Sequence, residues 1–475
     1  MPEIIADNIS IINTNELEGT TRIDAEYYQP KYLKVKGNLN HFKPLKFYTE
    51  NIIHPHEIKR IYSGYGETFL LTQNVRPLRL DFSTEVFIKE QDVQKLSRNI
   101  LKVGDVLITR TGANFGDTAF YYNQRERIFA SSHVLIVRPN ASIDGLYLAV
   151  FLNTKWGRKM LDRGMYGGLQ PEIAPSYLKT IPIPRFVLTL EKDISQKVIE
   201  SLKYENLANS LYSQAETLLL EGLNIKSIDL SHEPCYEVNS ANAISANRID
   251  AEYYQPKYER VIEAIENSKY GWCKLPDRIT NIIDKYDPYK EQERNFRYIE
   301  LSNINPSIGV IDDYLELKGK DLPSRARMLI REGDVIISSV EGSIDKVALV
   351  DNIHDGCIAS TGFFVFRANE NTLPEYALVL CKSILIQKQL EKLSSGTILA
   401  AVPKNLVETL IIPDVPIEAQ KEIANLIRQS HSARRQAKEL LEQAKQKVEE
   451  MIEKGTLNGM RKRVNYKSTS SKNIC

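Results

Sequence analysis

RIDAEYYQPKY, the stretch from Arg22 to Tyr32, occurs a second time without any change from Arg248 to Tyr258. A run of that length does not recur by chance, so the chain contains two copies of one module. The block repeats at an offset of 226 residues (248 minus 22), and later positions repeat at 229 (333 minus 104), including Gly104 with Gly333, Asp105 with Asp334, and Arg138 with Arg367. Such a period exceeds the roughly 20–50 residues of a solenoid repeat. The sequence therefore indicates a tandem duplication of a whole domain.

Length and composition are those of an ordinary soluble protein with two domains. The 475 residues are more than one hydrophobic core normally serves. The net charge of +1 says little about partners, since a local basic surface is enough to meet a polyanion. The five cysteines lack CxxC spacing, and neither a signal peptide nor a membrane-spanning run is visible. We therefore expect a cytoplasmic protein with no membrane contact.

Each copy is predicted to be a mixed, strand-rich domain. The repeated block is typical of an amphipathic segment that leads into a helix. The stretches LKVGDVLIT (101–109) and IREGDVIIS (330–338) each indicate a Gly-Asp turn followed by a short buried strand. Further predicted elements, in both copies, are a strand at 128–138 and 357–367, a helix at 146–161 and 375–393, a glycine loop, and a proline-bounded strand at 180–184 and 409–413.

After each domain the pattern changes to alternating steps of three and four residues, which is typical of a coiled-coil seam. Either the two helices pair with each other, or each covers its own domain and its outer charges are merely solvated. If they pair, Glu205 and Arg434 occupy equivalent seam positions with opposite charge and would help to set the register. The two seams lie 229 residues apart and consist of Ile194, Val198, Ser201, Glu205, Ala208, Tyr212, Ala215 and Leu219, and of Ile423, Ile427, Ser430, Arg434, Ala437, Leu441, Ala444 and Val448.

Together these features resemble the specificity subunits of type I restriction and modification enzymes. The resemblance covers nearly the whole chain: two variable domains, each opened by an R-x-D-x-x-Y-Y-x-P block, each with a Gly-Asp strand, and each followed by a long helix. It implies an α+β fold with two homologous target recognition domains, joined by two long antiparallel coiled-coil helices in a pseudo-twofold arrangement.

The resemblance also implies partners. They are double-stranded DNA, two methyltransferase subunits that use S-adenosylmethionine, and restriction subunits that translocate DNA with Mg-ATP. The specificity subunit itself would carry no chemistry and no cofactor.

The predicted boundaries are an N-terminal arm (1–21), recognition domain 1 (22–187), a central helix (188–225), a linker (226–247), recognition domain 2 (248–415), a C-terminal helix (416–455) and a basic, disordered tail (456–475).

Two DNA-reading domains held apart by helices predict a split target. A helix over residues 191–221 would be about 46 Å long at roughly 1.5 Å per residue. That exceeds one turn of DNA, about 34–36 Å, so the half-sites should lie somewhat more than a turn apart on similar faces of the duplex. Because the loops of the two copies have diverged, we expect an asymmetric, bipartite recognition site.

The candidate base readers are polar side chains in the diverged loops, because Arg pairs bidentately with guanine and Asn or Gln with adenine. For any single residue, a solvated or turn-forming role is the simpler interpretation. The candidates are Gln73, Asn74, Arg76, Arg110, Asn114, Tyr166 and Gln170 in the first copy, and Arg297, Ser302, Asn303, Ser339, Glu341, Ser395 and Thr397 in the second. Phosphate contacts, which position without specifying, are expected from Arg60, Arg79, Arg325 and Arg327.

The repeated block itself must serve a task that does not depend on DNA sequence, since it is identical in two domains that should read different sequences. One interpretation is that its tyrosines and proline pack against the paired helices. The other is a duplicated docking surface, which the resemblance supports because each half of such a subunit engages one methyltransferase. The residues concerned are Tyr27, Tyr28 and Pro30, with Tyr253, Tyr254 and Pro256.

No catalytic, cofactor or metal site is expected in this chain. A GxxxxGK[ST] loop is absent, and Asp287-Pro288-Tyr289 lacks the second proline of an N-P-P-Y type methyltransferase motif. The acidic residues around Asp312 have no counterpart in the first copy, so a solvated face is favoured over a nuclease centre. His54 and His56 have no carboxylate or cysteine at metal-ligand spacing.

Two alternatives stay open from the sequence. The first is a duplicated protein-binding scaffold whose helices dimerise without specific DNA contact. The second is the specificity subunit of a modification-only system, which leaves the same marks in this chain.

Overall fold

The computed structural model describes residues 3–6, 9–18, 22–59, 61–82, 84–122, 127–168, 170–225, 227–394 and 401–470. The chain divides into two compact units, one of Met1–Lys203 with Ala437–Cys475 and the other of Tyr204–Gln436. Each unit contains one copy of the repeated domain together with part of each long helix. Both combine an antiparallel sheet and a smaller mixed sheet with helices, so the predicted α+β class with two strand-rich domains is confirmed.

The first copy starts with a hairpin and then enters the repeated block. The block forms a 3-10 turn at Ala25–Tyr28 and opens a helix with Pro30 at its first turn, where the missing N–H costs no hydrogen bond. The strands are β1 (Glu3–Ala6), β2 (Ile9–Ile11), β3 (Thr49–Ile53), β4 (Glu67–Leu70), β5 (Val75–Arg76), β6 (Arg79–Leu80), β7 (Val86–Ile88), β8 (Val106–Thr109), β9 (Thr118–Phe120), β10 (Phe129–Ala130), β11 (Val134–Pro139), β12 (Met165–Tyr166) and β13 (Glu172–Ile173). The helices are α1 (Pro30–Leu39), α2 (Glu90–Val93), α3 (Gly145–Asn153), α4 (Lys155–Arg163) and α5 (Pro175–Leu178).

A four-stranded antiparallel sheet of order β3-β11-β8-β9 forms the centre of this domain. Strand β8 follows the Gly-Asp turn as predicted, and all four of its residues are buried. Because side chains alternate along a strand, Val106 and Ile108 pack with α3 on one face of the sheet, and Leu107 packs on the other with Leu70. Leu70 belongs to a smaller sheet of order β10-β4-β7.

The long helix α6 (Leu188–Gly222) follows, and the linker after it contains α7 (Ser240–Ala246). The second copy contains α8 (Pro256–Glu266), α9 (Pro374–Lys382) and α10 (Ile384–Leu393), and the chain closes with α11 (Ile417–Ser470). Its strands are β14 (Trp272–Lys274), β15 (Ile279–Asn281), β16 (Asn295–Ile299), β17 (Ile304–Asn305), β18 (Val310–Ile311), β19 (Leu315–Lys318), β20 (Ala326–Leu329), β21 (Asp334–Ser338), β22 (Val347–Leu349), β23 (Ile358–Ser360), β24 (Phe363–Ala368) and β25 (Ile411–Pro413).

The second copy repeats the topology of the first. The sheet β15-β24-β21-β22 has the same order as β3-β11-β8-β9, and β19-β16-β23 corresponds to β7-β4-β10. The added strand β20 pairs Leu329 with Ile358. The matched residues of the first copy, Ile100 and Phe129, form only an isolated bridge. The duplication is therefore visible in the structure as well as in the sequence, and the two copies differ at the edge of the smaller sheet.

Helices α6 and α11 pair in an antiparallel sense within each unit. In the first unit the Ser201 hydroxyl donates to the Ala437 carbonyl at 2.8 Å. In the second unit the Ser430 hydroxyl donates to the Ala208 carbonyl at 2.7 Å. The predicted pairing is thus confirmed, and the seams also close the domain cores, since Ile194, Val198, Ala444 and Val448 share the core of the first copy.

The predicted contact between the seam charges is also present. Arg434 donates to Glu205 at 2.9 Å and to the Asp312 carboxylate at 3.1 Å. All three side chains are largely buried, so this triad restrains α11 against both α6 and the second domain.

Several predicted elements are interrupted. The strand predicted at 128–138 is two strands, β10 and β11, and the one at 357–367 is β23 and β24. In the first copy the break is a turn at Ser131–His133, closed by a hydrogen bond from the Val134 amide to the Ser131 carbonyl at 3.0 Å. The helices predicted at 146–161 and 375–393 break at Thr154 and Ser383; the Thr154 hydroxyl accepts from the Gly157 amide at 3.2 Å and caps α4.

Two end segments also differ from prediction. Residues 180–184 form no strand, because prolines at 182 and 184 remove two donors, and Pro182 makes only an isolated bridge with Pro44. Helix α11 extends to Ser470, so most of the tail predicted to be disordered from 456 is helical. That segment contains no proline and several good helix formers.

The tyrosines of the first block are buried, though not against the paired helices. Tyr27 and Tyr28 are 4% and 6% exposed and cluster with Leu33. Ile12, Leu17 and Tyr177 pack against that cluster, which contains no described residue of α6 or α11. For the first block, the interpretation that it packs on the coiled coil is therefore wrong, and this block packs against the N-terminal arm and α4 instead.

Candidate nucleic-acid interface

Three diverged loops meet at one end of the first domain. They are the loop after β4, the turn after β8 and the turn between β10 and β11. The Asn114 amide donates to the Thr72 carbonyl at 3.4 Å, and the Arg110 backbone amide donates to the His133 carbonyl at 2.8 Å. The Ser131 amide reaches back to the Leu70 carbonyl at 2.9 Å. Loops that are distant in sequence thus form one continuous edge.

The same three loops meet in the second domain. The Ser339 amide donates to the Gly362 carbonyl at 2.8 Å, and both residues lie 229 positions after Arg110 and His133. The Lys346 ammonium donates to the Leu301 carbonyl at 2.8 Å, which joins the turn after β21 to the loop after β16. The two domains therefore present different side chains on one conserved backbone arrangement.

A buried carboxylate stabilises the turn that leads into each edge. Asp105 accepts two hydrogen bonds from Arg138, at 2.8 and 2.7 Å, and one from the Lys102 amide at 2.7 Å. Asp334 accepts from Arg367 at 2.7 and 2.8 Å and from the Arg331 amide at 2.9 Å. Such charge-assisted, bidentate pairs fix geometry. The matched residues were visible in the sequence, but their pairing was not.

The first predicted group of base readers in the first domain is brought together. Gln73 is exposed and donates to the Thr84 carbonyl at 3.2 Å. Arg76 and Asn114 are half-buried, and the Arg76 guanidinium donates to the Asn114 side-chain oxygen at 3.4 Å. These three residues can turn polar atoms outward together without unfolding the loop.

A second predicted group surrounds Arg110. Its guanidinium contacts the Glu172 carboxylate and lies 2.9 Å from His54 Nε2. Burial and the positive charge of Arg110 lower the pKa of His54. Tyr166 pairs with Glu172 across the β12-β13 hairpin, and Gln170 is exposed on the loop that joins the two strands.

Two predicted asparagines are framework residues. Asn74 is 0% exposed, accepts from the Leu71 amide at 2.8 Å and donates to the Asp81 carbonyl at 2.8 Å. Its counterpart Asn303 accepts from the Glu300 amide at 2.9 Å. Both close the 3-10 turn that follows the strand. A fully buried amide with its polar atoms engaged cannot read a base, so Asn74 leaves the set of candidates.

Of the other residues predicted in the second domain, some are exposed and others already form hydrogen bonds within the protein. Ser302 and Glu341 are exposed, and Ser302 donates to Glu300 at 2.8 Å. Ser339 is buried and its hydroxyl donates to the Gly362 carbonyl at 3.0 Å. Arg297 donates to the backbone carbonyls of Ile353 and Asp355, so its guanidinium is already occupied. Ser395 and Thr397 lie outside the described residues.

The predicted phosphate contacts are equally mixed. Arg325 is exposed at the edge and pairs with Glu300 at 3.0 Å. Arg327 contacts Asp287 and lies 4.9 Å from the centre of the Tyr289 ring. Arg79 lies in β6, and Arg60 falls outside the described residues.

Sequence reasoning missed some edge residues. A cavity of about 150 Å³ opens between the loops of the first domain and is lined by Glu57, Gln73, Ser132 and His133, among others. Glu57 accepts a hydrogen bond from the Ser132 hydroxyl. The polar run Ser131-Ser132-His133, inside what was predicted as one strand, was the signal that could have revealed this opening.

Lys404 is a further missed residue, in the second domain. The Val402 amide, two residues before it, donates to the Ser339 carbonyl at 2.9 Å, which places Lys404 beside the edge. Burial and the positive charge of Lys285 lower the pKa of Lys404. A cation at this edge is a candidate for phosphate contact.

Candidate catalytic groups are engaged elsewhere. Asp312, part of the acidic cluster considered for a nuclease, pairs with Arg434. Within the described ranges, no group of three or more His, Cys, Asp or Glu side chains could hold a metal ion. Cys235, Cys273, Cys357 and Cys381 are free thiols. No helix in the described part of the chain is both long and apolar enough to cross a membrane.

Comparison with known proteins gives one consistent result. Residues 279–450 match the family described as Type I restriction modification DNA specificity domain. The specificity subunit of the type I restriction enzyme MjaVIII from Methanocaldococcus jannaschii is 22% identical over 368 residues, which are 75% of this chain and 80% of that protein. The HindI specificity subunit of Haemophilus influenzae is 31% identical over 86 residues, 18% of this chain and 16% of that protein. The crystal structure of a type I restriction-modification S subunit from M. genitalium aligns with 87% of this chain and 95% of its own, at 11% identity and a TM-score of 0.41.

Proposed function

We infer that the chain belongs to the specificity subunits of type I restriction-modification enzymes, and we propose that it is the DNA-recognition subunit of such a complex. Each domain reads one half of an asymmetric, bipartite site through the edge where its three loops meet. The helix pair formed by α6 and α11 sets the unread spacer between the half-sites.

The observation that carries this proposal is the pair of loop edges. The backbone bonds that join the loops recur at matched positions, from Arg110 to His133 and from Ser339 to Gly362. The side chains at these positions differ between the copies. A constant frame with variable polar side chains is what two readers of different sequences require.

Base reading is assigned to the exposed or half-exposed members of each edge. In the first domain these are Gln73, Arg76 and Asn114, with Arg110, Tyr166 and Gln170 beside them. In the second domain they are Ser302 and Glu341. Arg325, Lys285 and Lys404 contact phosphate, which fixes register without specifying sequence.

The chain acts without chemistry of its own. Two methyltransferase subunits, which supply S-adenosylmethionine, dock on it, and restriction subunits that use Mg-ATP join through the complex. Of the groups considered for catalysis, Asp312 is engaged in an ion pair with Arg434, and His54 lies within hydrogen-bond distance of Arg110. Adenine is the methylated base that the family resemblance implies.

The decisive experiment maps methylated adenines in genomic DNA from cells with and without the gene. A split, asymmetric motif that disappears with the gene is the expected result. A contiguous or palindromic motif would contradict the reading of one half-site by each domain.

The scaffold alternative is tested by DNA binding. With the methyltransferase subunits present, the complex is expected to bind a genomic fragment that contains the motif more tightly than random DNA at equal salt, because phosphate contacts alone do not discriminate. Equal affinity for both DNAs would favour a protein-binding scaffold.

A further inference from the structure

The first repeated block is covered by a carboxylate from the N-terminal arm. The Glu18 carboxylate accepts from Arg163 at 2.8 and 3.2 Å, from the Tyr27 hydroxyl at 2.9 Å and from Lys36. Ile12 and Leu17, on the same arm, pack on the tyrosines. A short segment made of β2 and a 3-10 turn at Thr14–Glu16, with aliphatic side chains and a final carboxylate, therefore covers this block.

The second block keeps the geometry of the covered one. The rings of Tyr253 and Tyr254 lie 4.9 Å apart at 82°, against 5.0 Å and 80° for Tyr27 and Tyr28. Arg248 lies 4.3 Å from the centre of the Tyr253 ring, as Arg22 lies 4.2 Å from that of Tyr27.

The second block also has a cation beside its first tyrosine ring, as the first block has. Arg163 is matched, 229 residues later, by Lys392, which lies 5.1 Å from the centre of the Tyr253 ring. Lys392 also forms an ion pair with Glu259; the Lys392 side chain is 17% exposed and that of Glu259 is 59% exposed. A carboxylate as exposed as Glu259 is screened by water and exchanges readily.

The carboxylate of this cover is missing from the second copy, although part of the linker lies on the block. The Glu233 amide donates to the Gln255 side chain at 3.1 Å, and the Tyr236 hydroxyl donates to the Ala251 carbonyl. The residue matched to Glu18 in the block alignment is Ile244 (18 plus 226), and its side chain is 80% exposed. Tyr253 and Tyr254 are half-buried rather than buried, and no described residue accepts a hydrogen bond from the Tyr253 hydroxyl.

We propose that this block, with Lys392 and the exposed Ile244, binds a short segment of a partner subunit that presents aliphatic side chains followed by a carboxylate. The segment takes the place that residues 12–18 take on the first block, next to the linker residues that already lie on the second. The inference rests on the proposed function, because it takes the partner to be another subunit of the complex. The two copies thus share one binding geometry, which is completed from within the chain in one domain and by a partner in the other.

The arm itself supplies the probe. A fluorescent peptide of residues 9–18 is titrated with the full-length chain and followed by anisotropy. We expect saturable binding, and a peptide with Glu18→Gln is expected to bind about tenfold more weakly or worse, because the charge-assisted hydrogen bonds are lost. Absence of binding, or equal binding of both peptides, would overturn the proposal.

Matched variants locate the site. Lys392→Glu is expected to abolish peptide binding, and Tyr253→Phe to weaken it while preserving the fold, because only a hydroxyl is removed. Lys388→Glu is the control, since Lys388 lies one turn earlier on α10 and pairs with Glu391. Equal loss in the Lys392 and Lys388 variants, or none in the Lys392 and Tyr253 variants, would contradict the assignment.

Assembly separates this proposal from the proposed function. In the reconstituted complex, Lys392→Glu is expected to lower the amount of methyltransferase retained per chain in size-exclusion light scattering, and the methylated motif should stay the same. If the Lys392→Glu complex retains as much methyltransferase as the unchanged complex, the docking site is overturned and the DNA-recognition function is not. If the methylated motif is not bipartite, the DNA-recognition function is overturned and the docking site is not. If the free chain self-associates through residues 9–18, the open block belongs to a second copy and the proposal fails.

Discussion

The two repeated blocks have the same eleven residues and different surroundings. The first is closed by Glu18 and buries both its tyrosines, whereas the second has Ile244 at the matched position of the sequence and leaves its tyrosines half-exposed. The comparison shows that the block keeps one arrangement of rings and cation, and that burial depends on the segment laid over it. Substitutions at matched positions in the two copies can separate the two effects.

The largest difference is expected for the cation beside the tyrosine ring. The Arg163 side chain is 1% exposed and holds Glu18, so Arg163→Ala leaves a partly buried carboxylate without its main partner. We expect a loss of about 3–5 kcal/mol of local stability. The matched Lys392→Ala should cost less than about 1 kcal/mol, because its ion-pair partner Glu259 is 59% exposed and stays solvated when the lysine is removed.

Hydrogen exchange across α1 and α8 measures this difference. Protection should fall in α1 of the Arg163 variant and remain in α8 of the Lys392 variant. Equal losses in the two helices would mean that the arm does not distinguish the two blocks.

A smaller difference is expected from acid. Burial by itself opposes the ionisation of Glu18, but the hydrogen bonds and charges of Arg163 and Lys36 outweigh it and lower the pKa of the carboxyl from 4.5 to about 2. A depressed pKa contributes stability that is fully present above about 4.5 and is lost as the pH falls toward 2. We expect about 2–3 kcal/mol of arm stability to disappear over this window.

This dependence is checked by exchange or by limited proteolysis of the arm between pH 5 and 2. Glu18→Gln should remove the pH dependence of the arm and leave that of the second domain unchanged. A Glu18→Gln protein whose arm still loosens over this window would assign the effect to another carboxyl.

The loop edges provide the next comparison. Arg76→Ala should cost about 1–3 kcal/mol of discrimination at one position of the first half-site, the usual worth of a bidentate base contact. Ser302→Ala should affect only the second half-site. Sequencing of methylated DNA from each variant tests both, and a change in the opposite half-site would refute the assignment of domains to half-sites.

The smallest effects are expected in the helix pair. Ser201→Ala and Ser430→Ala each remove one buried hydroxyl that donates to a carbonyl of the other helix. Each should cost about 0.5–1.5 kcal/mol, and nearly the same amount in the two units. Urea unfolding of the two variants provides the comparison, and a cost confined to one variant would show that the units differ here.

The sequence predicted those turns, strands and helix contacts that are determined by neighbouring residues and by periodicity. The Gly-Asp turns and the buried strands β8 and β21 follow from a turn signal and an apolar run. The three-four spacing placed Glu205 and Arg434 on one seam, where they do meet. These features depend on periodicity and on neighbouring residues, and both can be read from a single sequence.

Features that depend on tertiary contact escaped prediction. Asn74 has the composition of a base reader, but its amide closes a turn, and only the fold shows where its donors point. The run at 128–138 is apolar enough for one strand, yet its polar turn at Ser131–His133 carries part of the loop edge. The different burial of the two blocks could not be read from eleven identical residues.

The reciprocal serine bonds have an evolutionary consequence. Ser201 reaches Ala437 and Ser430 reaches Ala208, so each helix offers the other the same donor and acceptor, seven residues apart. A chain with a single copy of the module could therefore build this pair with an identical chain. In such a homodimer the position of Glu205 and Arg434 would oppose two like charges. The ion pair of Glu205 and Arg434 therefore indicates that the two halves diverged within one polypeptide. Each helix now pairs better with the other helix of the chain than with a second copy of itself.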